Sequence, residues 1–296
     1  MRRLLITVAA AVGLTLGCGV ALPVTPGDPV AQPQTAGSAA ETVLATSTPV
    51  TTFLPIVMTS GHTIWQPSPG TSWQWQLSGT IDTSFDVEMV DIDLFDAPQS
   101  VIDQLHADGR VVICYFSAGS WEDWRDDAGN FPASLLGKPL DGWPDEKWLD
   151  IRQLDTLGPL MQARLDVAVQ KQCDGVEPDN VDGYSNNSGF PLSAADQLAY
   201  NRWLAEQAHS RGLSIGLKND LDQIPQLVDY FDWALNEQCF EYDECDTLTP
   251  FVAAGKAVFG VEYSLAPEAF CAQANALNFD WLKKNLDLDA ERIACR

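Results

Sequence analysis

Short apolar, β-branched or aromatic runs recur along this chain, and most are separated by enough residues to form a helix. They lie at Trp73–Leu77, Met89–Phe95, Val111–Phe116, Gly175–Glu177, Ser214–Leu217, Phe231–Leu235 and Ala257–Tyr263, with Phe279–Leu282 as a weaker eighth. Strand, helix, strand repeated in this way is the pattern of a parallel sheet with covering helices, because parallel strands need a crossover between them. The helical segments carry their own signals. Ser193 with Asp196 forms a capping box, and the Ala194, Leu198, Leu204, Ala205 and Ala208 that follow share one stripe. Gly212 suits the C-terminal cap of that helix. Pro98–Asp108 before Gly109, Asp220–Asp229, and Thr249–Ala254 before Gly255 repeat the pattern. The expected fold is α/β, a single-domain (β/α)8 TIM-type barrel. A doubly wound open sheet ranks second, since no Gly-x-Gly-x-x-Gly follows a strand.

The ends of these runs are not alike. Runs two to seven finish in or near Asp91, Asp93 and Asp96, Tyr115 and Ser117, Asp179 and Asn180, Lys218 and Asn219, Asn236 and Glu237, and Glu262 and Tyr263. Their starts hold plain residues such as Arg110, Leu213 and Lys256. Polar residues gathered at the carboxyl ends of parallel strands are what a catalytic rim looks like. The densest case is Cys173–Tyr184, with Asp174, Glu177, Asp179 and Asp182 inside one short stretch. Pro178 disfavours helix at Glu177, so this segment reads as a strand ending there.

Asp179 and Glu237 are the candidate catalytic pair. Each closes an apolar run, and two carboxyls in different surroundings can supply an acid with a base or a nucleophile. Candidate substrate-binding residues are Asp93, Tyr115, Asn180, Lys218, Asn219, Glu262, Tyr263 and Trp121. Lys218 reads equally as a buried countercharge for Asp179 or Asp93. Of Asp91 and Asp93, one is expected to point inward while the other caps a loop. Glu177 has no assigned role. Residues 118 to about 150 read as a long rim loop. Its Trp121, Trp124, Trp143 and Trp148 suit either stacking on sugar rings or a satellite hydrophobic cluster. The three histidines, His62, His106 and His209, fall in the linker region or on helices. That argues against a metal deacetylase or a Ser-His-Asp hydrolase. No cofactor and no metal is expected.

Composition bounds the rest. The 296 residues are enough for one such barrel, and the formal net charge of −24 disfavours nucleic acid and anionic membrane as partners while favouring cationic ligands. Arg2-Arg3 followed by the apolar run Leu4–Leu16 reads as an export signal over residues 1–18. Gly17-Cys18-Gly19 resembles a bacterial lipoprotein processing site, which would lipidate Cys18 and attach the protein to a membrane. Ordinary cleavage a little further on is the alternative. The expected location is extracellular or cell-surface in both cases. Residues 19–64, rich in Pro, Thr and Ala, read as a tether, and 65–296 as the folded domain. Six cysteines remain in an oxidising compartment. Cys239 with Cys245 is the expected local pair; Cys271 with Cys295 and Cys114 with Cys173 are candidates, the connectivity beyond the first pair being left open. A monomer is expected.

Several blocks together resemble a known family. They are Trp75-Gln76-Leu77, Asp91 to Asp96, Val112 to Ser120, Cys173 to Asn180, Gly216 to Asn219 and Asn236 to Cys239, in that order. They look like glycoside hydrolase family 114, whose known activity is that of an endo-α-1,4-polygalactosaminidase. The resemblance runs from about Trp65 to the C-terminus. It implies a (β/α)8-type barrel and cleavage of a partly deacetylated, galactosaminogalactan-like amino-sugar polysaccharide. It also implies catalytic carboxylates at Asp179 and Glu237; which is nucleophile and which acid/base is left open by the sequence, with Asp179 as nucleophile and Glu237 as acid/base the preferred order. Glu177 departs from the family's pattern, which commonly has Asp there. A surface glycan-binding protein without turnover, or another carbohydrate-active barrel enzyme such as a lyase or transglycosylase, are the alternatives.

Overall fold

The computed structural model describes residues 63–296. The expected export signal, the possible lipidation at Cys18, His62 and most of the tether lie outside the described residues.

In chain order the described residues form β1 (Trp73–Gln76), β2 (Met89–Asp93), α1 (Gln99–Ala107) and β3 (Val111–Ser117). Then come β4 (Ser120–Glu122), β5 (Leu136–Leu140), β6 (Trp143–Leu149), α2 (Leu154–Gln170) and β7 (Gly175–Asp179). Next are α3 (Ala194–His209), β8 (Ser214–Lys218), α4 (Ile224–Leu227) and β9 (Trp233–Glu237). The chain ends with α5 (Cys239–Tyr242), α6 (Thr249–Ala253), β10 (Val258–Glu262), α7 (Pro267–Ala276), β11 (Asp280–Lys283) and β12 (Ile293–Ala294). Nine strands make one curled sheet in the order β1-β2-β3-β7-β8-β9-β10-β11-β12. The first eight run parallel, and β12 pairs antiparallel to β11. The expectation of eight parallel strands is met, but among the described residues no backbone ladder joins β1 to β11. The sheet is therefore an incompletely closed one. Side chains span that seam: Trp73 Nε1 donates to Asp280 O at 2.8 Å, and Gln74 Nε2 to Ala290 O at 2.9 Å.

Strand parity sorts the core into two layers. Trp73, Trp75, Met89, Ile113, Trp233, Leu235, Phe259, Val261 and Leu282 point into the curl and pack on one another. Alternate residues such as Val90, Ile92, Val112, Val176, Ile215 and Val258 face the helices, in a layer with Ile102, Leu165 and Leu204. Each large apolar side chain so buried contributes about 1.5–3 kcal/mol. Gly216 has a packing reason, because a Cβ there would lie 2.3 Å from the Trp233 ring. The capping box at Ser193 forms as expected, with Ser193 N donating to Asp196 Oδ2 at 2.9 Å and Asp196 N to Ser193 Oγ at 3.2 Å. Asp220–Asp229 is only a 3-10 turn followed by the four-residue α4, shorter than its pattern suggests.

Two other expectations are corrected. The run at Gly175 does not stop before Pro178 but continues to Asp179. Its ladder to β8 ends at Val176 opposite Ile215, so the missing donor at Pro178 costs no bond on that side. Residues 118–150 are not an irregular loop. They hold a three-stranded antiparallel sheet, β4-β6-β5, set between β3 and α2. The expected Cys239–Cys245 disulfide is present, and the other two are Cys114–Cys173 and Cys271–Cys295, the pairs the sequence left as candidates. No helix of the described residues is long and apolar enough to cross a membrane.

Candidate active site

Three neighbouring parallel strands end in the same way. β7 closes with Asp179, β8 with Lys218 and β9 with Glu237, and each is followed by a residue with left-handed backbone: Asn180 (φ 62°), Asn219 (φ 49°) and Gln238 (φ 66°). Asparagine tolerates this region better than most residues, which turns the chain sharply while leaving the charged side chain at the rim. The turn after β3 packs against the turn after β7. Ala118 N and Gly119 N donate to Asp179 O, and a Cβ on Gly119 would sit 1.7 Å from Asn180 O. Asp179 is thereby fixed from two strands.

Lys218 organises the floor. Its Nζ lies 2.8 Å from Glu177 Oε1, 3.3 Å from Asp179 Oδ1 and 3.3 Å from Glu237 Oε2. Burial disfavours the ammonium, but Asp179, Glu177 and Glu237 outweigh that and hold it protonated, well above the usual lysine range. The phenol of Tyr115 donates to Asp179 Oδ2 at 3.1 Å, and that of Tyr263 to Glu237 Oε1 at 2.5 Å. Asn219 accepts from Glu237 N at 3.0 Å and donates to Glu237 Oε2 at 3.3 Å. Burial pushes the Glu237 carboxyl up, but Lys218, Tyr263 and Asn219 together bring it below the ordinary glutamate value. Glu177 points into the curl, where Trp75 Nε1 donates to its Oε2 at 2.9 Å.

Above this floor lies a cleft of about 710 Å³, in whose lining carboxylates outnumber cations nine to two. Such a wall focuses negative potential on whatever enters. The inserted β4-β6-β5 sheet supplies Trp143, Glu146 and Trp148 to one side. Trp124, Trp143 and Tyr242 line the cleft while 51%, 57% and 63% exposed, offering flat apolar faces at its edges. Glu146 is pushed up to about 7 by burial, opposed by a hydrogen bond from Ser120 Oγ at 2.6 Å. A smaller hollow of about 380 Å³ continues beside Glu237 past Asp182 and Asp220. Burial pushes Asp182 up to about 6 and Asp220 up to about 8.

Of the residues singled out from sequence, Asp179, Glu237, Tyr115, Asn180, Lys218, Asn219 and Tyr263 all line this cleft. Lys218 serves Glu177, Asp179 and Glu237 rather than Asp93. Asp93 reaches the cleft wall but is taken up by Arg125, at 2.6 and 2.9 Å, and by Phe95 N and Asp96 N. It does cap a loop as expected. Asp91 and Asp93, two residues apart, share the inner face. Glu262 is not at the rim. It shares the outer face of β10 with Val258, is fully buried, and accepts from Phe240 N at 2.9 Å. Parity decides this, since the adjacent Tyr263 takes the inner side. Trp121 does not line the cleft, because its indole donates to Ala128 O at 3.1 Å and its ring lies under Lys147. Sequence reasoning missed Arg125, Glu146 and the inward Trp75. Only Trp75 carried a signal, as the second tryptophan of an alternating Trp-x-Trp. Among the described residues no group of side chains could hold a metal ion.

The profile of glycoside-hydrolase family GH114 matches residues 56–296. No curated protein sequence matches. Among solved structures, Ega3 of Aspergillus fumigatus, crystallised in complex with galactosamine, is 46% identical. The match covers 78% of this chain and 97% of Ega3, with a TM-score of 0.75. The glycoside hydrolase domain of PelA from Pseudomonas aeruginosa shares the fold at 14% identity and a TM-score of 0.61. There the match covers 75% of this chain and 98% of that domain.

Proposed function

The chain is a glycoside hydrolase of family GH114, and from that premise we propose that it is an endo-acting enzyme cleaving α-1,4-linked galactosamine-containing polysaccharide, with Asp179 and Glu237 as its reacting carboxylates. The observation that carries this reading is the pair itself. Two carboxylates from strands on either side of β8 share one lysine at the floor of an acidic, aromatic-edged cleft. A polymer bearing free ammonium groups is drawn to such a wall, and its fully N-acetylated form is not.

Asp179 Oδ1 and Glu237 Oε2 each lie 3.3 Å from Lys218 Nζ, so these oxygens are no further apart than twice that distance. This bound favours the short separation of about 5–5.5 Å used for retention over most of the inverting range. In this reading Asp179 attacks the anomeric carbon while Glu237 protonates the departing oxygen. Glu237 then takes a proton from the water that releases the sugar from Asp179. The proton taken from that water restores the acid for the next cleavage, while Lys218, Tyr263 and Asn219, which hold Glu237 below the ordinary glutamate value, favour its base form in the second step. Tyr115 and Tyr263 hold the two carboxylates in place. On the same reading the curled sheet functions as a (β/α)8-type barrel, completed between β1 and β11 by side chains. The three disulfides, together with the sequence signal before Cys18, support an exported enzyme.

The test is mass spectrometry of products from partly deacetylated galactosaminogalactan incubated with pure protein. Shortened oligomers that have gained one water are expected. Unsaturated ends would make it a lyase, and retention of uncut polymer a binding protein.

A further inference from the structure

Beneath Lys218 lies a carboxyl that the proposed reaction does not use. Asp91 on β2 is fully buried, and neither of its oxygens accepts a hydrogen bond from any donor among the described residues. The carboxyl beside it is that of Glu177 on β7, which takes the same inner face of the sheet. Two buried carboxylates side by side repel each other, so their contact is favourable only when one of them carries a proton. The partners of the two groups decide which. Glu177 holds Lys218 Nζ on one oxygen and Trp75 Nε1 on the other, so of the two anions its own is the better supported, although burial raises it to about 7. Asp91 has neither a cation nor an N–H. The charged and titratable groups around it are Glu177 from β7, Lys218 from β8 and Asp93 from its own strand. Burial, then Glu177, push Asp91 well above the usual carboxylate range, in agreement with that geometry.

We propose that Asp91 is a positioning residue: as a neutral acid it donates its O–H to Glu177, which fixes the carboxylate that holds Lys218 beneath Asp179 and Glu237. The positioning role rests on the reading of Asp179 and Glu237 as the reacting pair; the protonation of Asp91 does not. With Asp91 neutral, Lys218 faces three buried or half-buried carboxylates instead of four. It therefore stays within reach of both reacting groups.

The test joins a spectroscopic arm to a kinetic one on the intact protein. In the infrared difference between wild type and Asp91→Asn at pH 7, the wild type shows the carbonyl stretch of a protonated carboxyl that the variant lacks. Asp91→Asn keeps a donor to Glu177, so its turnover on the deacetylated polymer stays within about threefold of wild type with an unshifted pH profile. Asp91→Leu fills the space without a donor, and a folded preparation loses about tenfold or more in turnover with little change in KM. A difference spectrum showing a lost carboxylate band instead overturns the proposal. So does an Asp91→Leu variant as active as wild type, or a folded Asp91→Asn variant no better than Asp91→Leu. If Asp91→Leu does not fold, the spectrum and Asp91→Asn still decide. Failure of the glycosidase reading looks different: wild type is inactive on the polymer while the protonated-carboxyl band remains.

Discussion

Two buried charge clusters sit side by side under the cleft and are built on opposite principles. Between β2 and the inserted sheet, Arg125 pairs with Asp93 at 2.6 Å and Glu122 at 2.8 Å, while Arg164 pairs with Asp127 at 2.8 Å. Two planar guanidiniums face the buried Asp93 and Glu122 there, with Asp127 and the exposed Asp96 at their edges, and Arg164 also donates to Ser117 O at 2.6 Å. Around β8 a single lysine serves Glu177, Asp179 and Glu237, with Asp91 adding a fourth carboxyl. The buried part of the first cluster balances, two guanidiniums against Asp93 and Glu122, and it ties the inserted sheet to the main one. The second keeps surplus negative charge, which is useful only where a group must gain, lose or share charge. Balanced charge marks scaffolding here, and unbalanced charge marks chemistry.

The largest break in this comparison is expected from Arg125→Met. It strands Asp93 and Glu122 in the interior and should lower unfolding stability by about 3–5 kcal/mol in denaturant titrations. A loss near zero would mean that this cluster is not scaffolding. Lys218→Met should act on chemistry as well as on fold. Without the ammonium, Glu237 loses the charge that holds it low and keeps its proton to higher pH, so the acidic limb of the activity profile moves up. An unmoved limb would deny Lys218 its role.

Acids on the rim that lack an arginine sharpen the contrast. Asp220, Glu146 and Asp182 are pushed up to about 8, 7 and 6, in each case mainly by burial. Their folded values lie above the unfolded ones of about 4, so the fold holds protons that the unfolded chain releases. Their contribution is complete below about pH 4 and is lost as pH rises through about 6 to 8. Tm should therefore fall between pH 5 and pH 8.5, and Asp220→Asn should flatten that fall. A flat profile in wild type would remove the argument. The smallest effect belongs to Trp143→Ala. Loss of one exposed stacking face of about 0.5–1.5 kcal/mol should raise KM several-fold and leave kcat alone.

Much of this arrangement was legible in the sequence, and what was not has definite causes. Strand positions and the charged strand ends were readable because parallel strands are short, apolar and periodically spaced. Asp179, Lys218 and Glu237 each precede a residue, Asn180, Asn219 or Gln238, that turns the chain at once. Glu262 was misjudged because a strand end does not say which face a residue takes, and parity put Tyr263 inside. The inserted sheet was hidden by its composition. Gly, Asp and Pro are frequent in β5 and β6, where strand propensity is low and pairing supplies the order. Arg125 and Glu146 lie in that insert, so their approach to β2 and to the cleft depended on a fold that local pattern does not specify. The end of the sheet at β1 and β11, joined by side chains rather than a ladder, leaves no mark in strand periodicity.

The most direct test of the central claim compares Asp179→Asn and Glu237→Gln with wild type on deacetylated polymer, measuring turnover and oligosaccharide affinity on the same preparations. The paired-carboxylate account predicts that each variant loses on the order of 10² to 10⁴-fold in turnover while binding stays within a few-fold. Hydrolysis by both variants at the wild-type rate would contradict it.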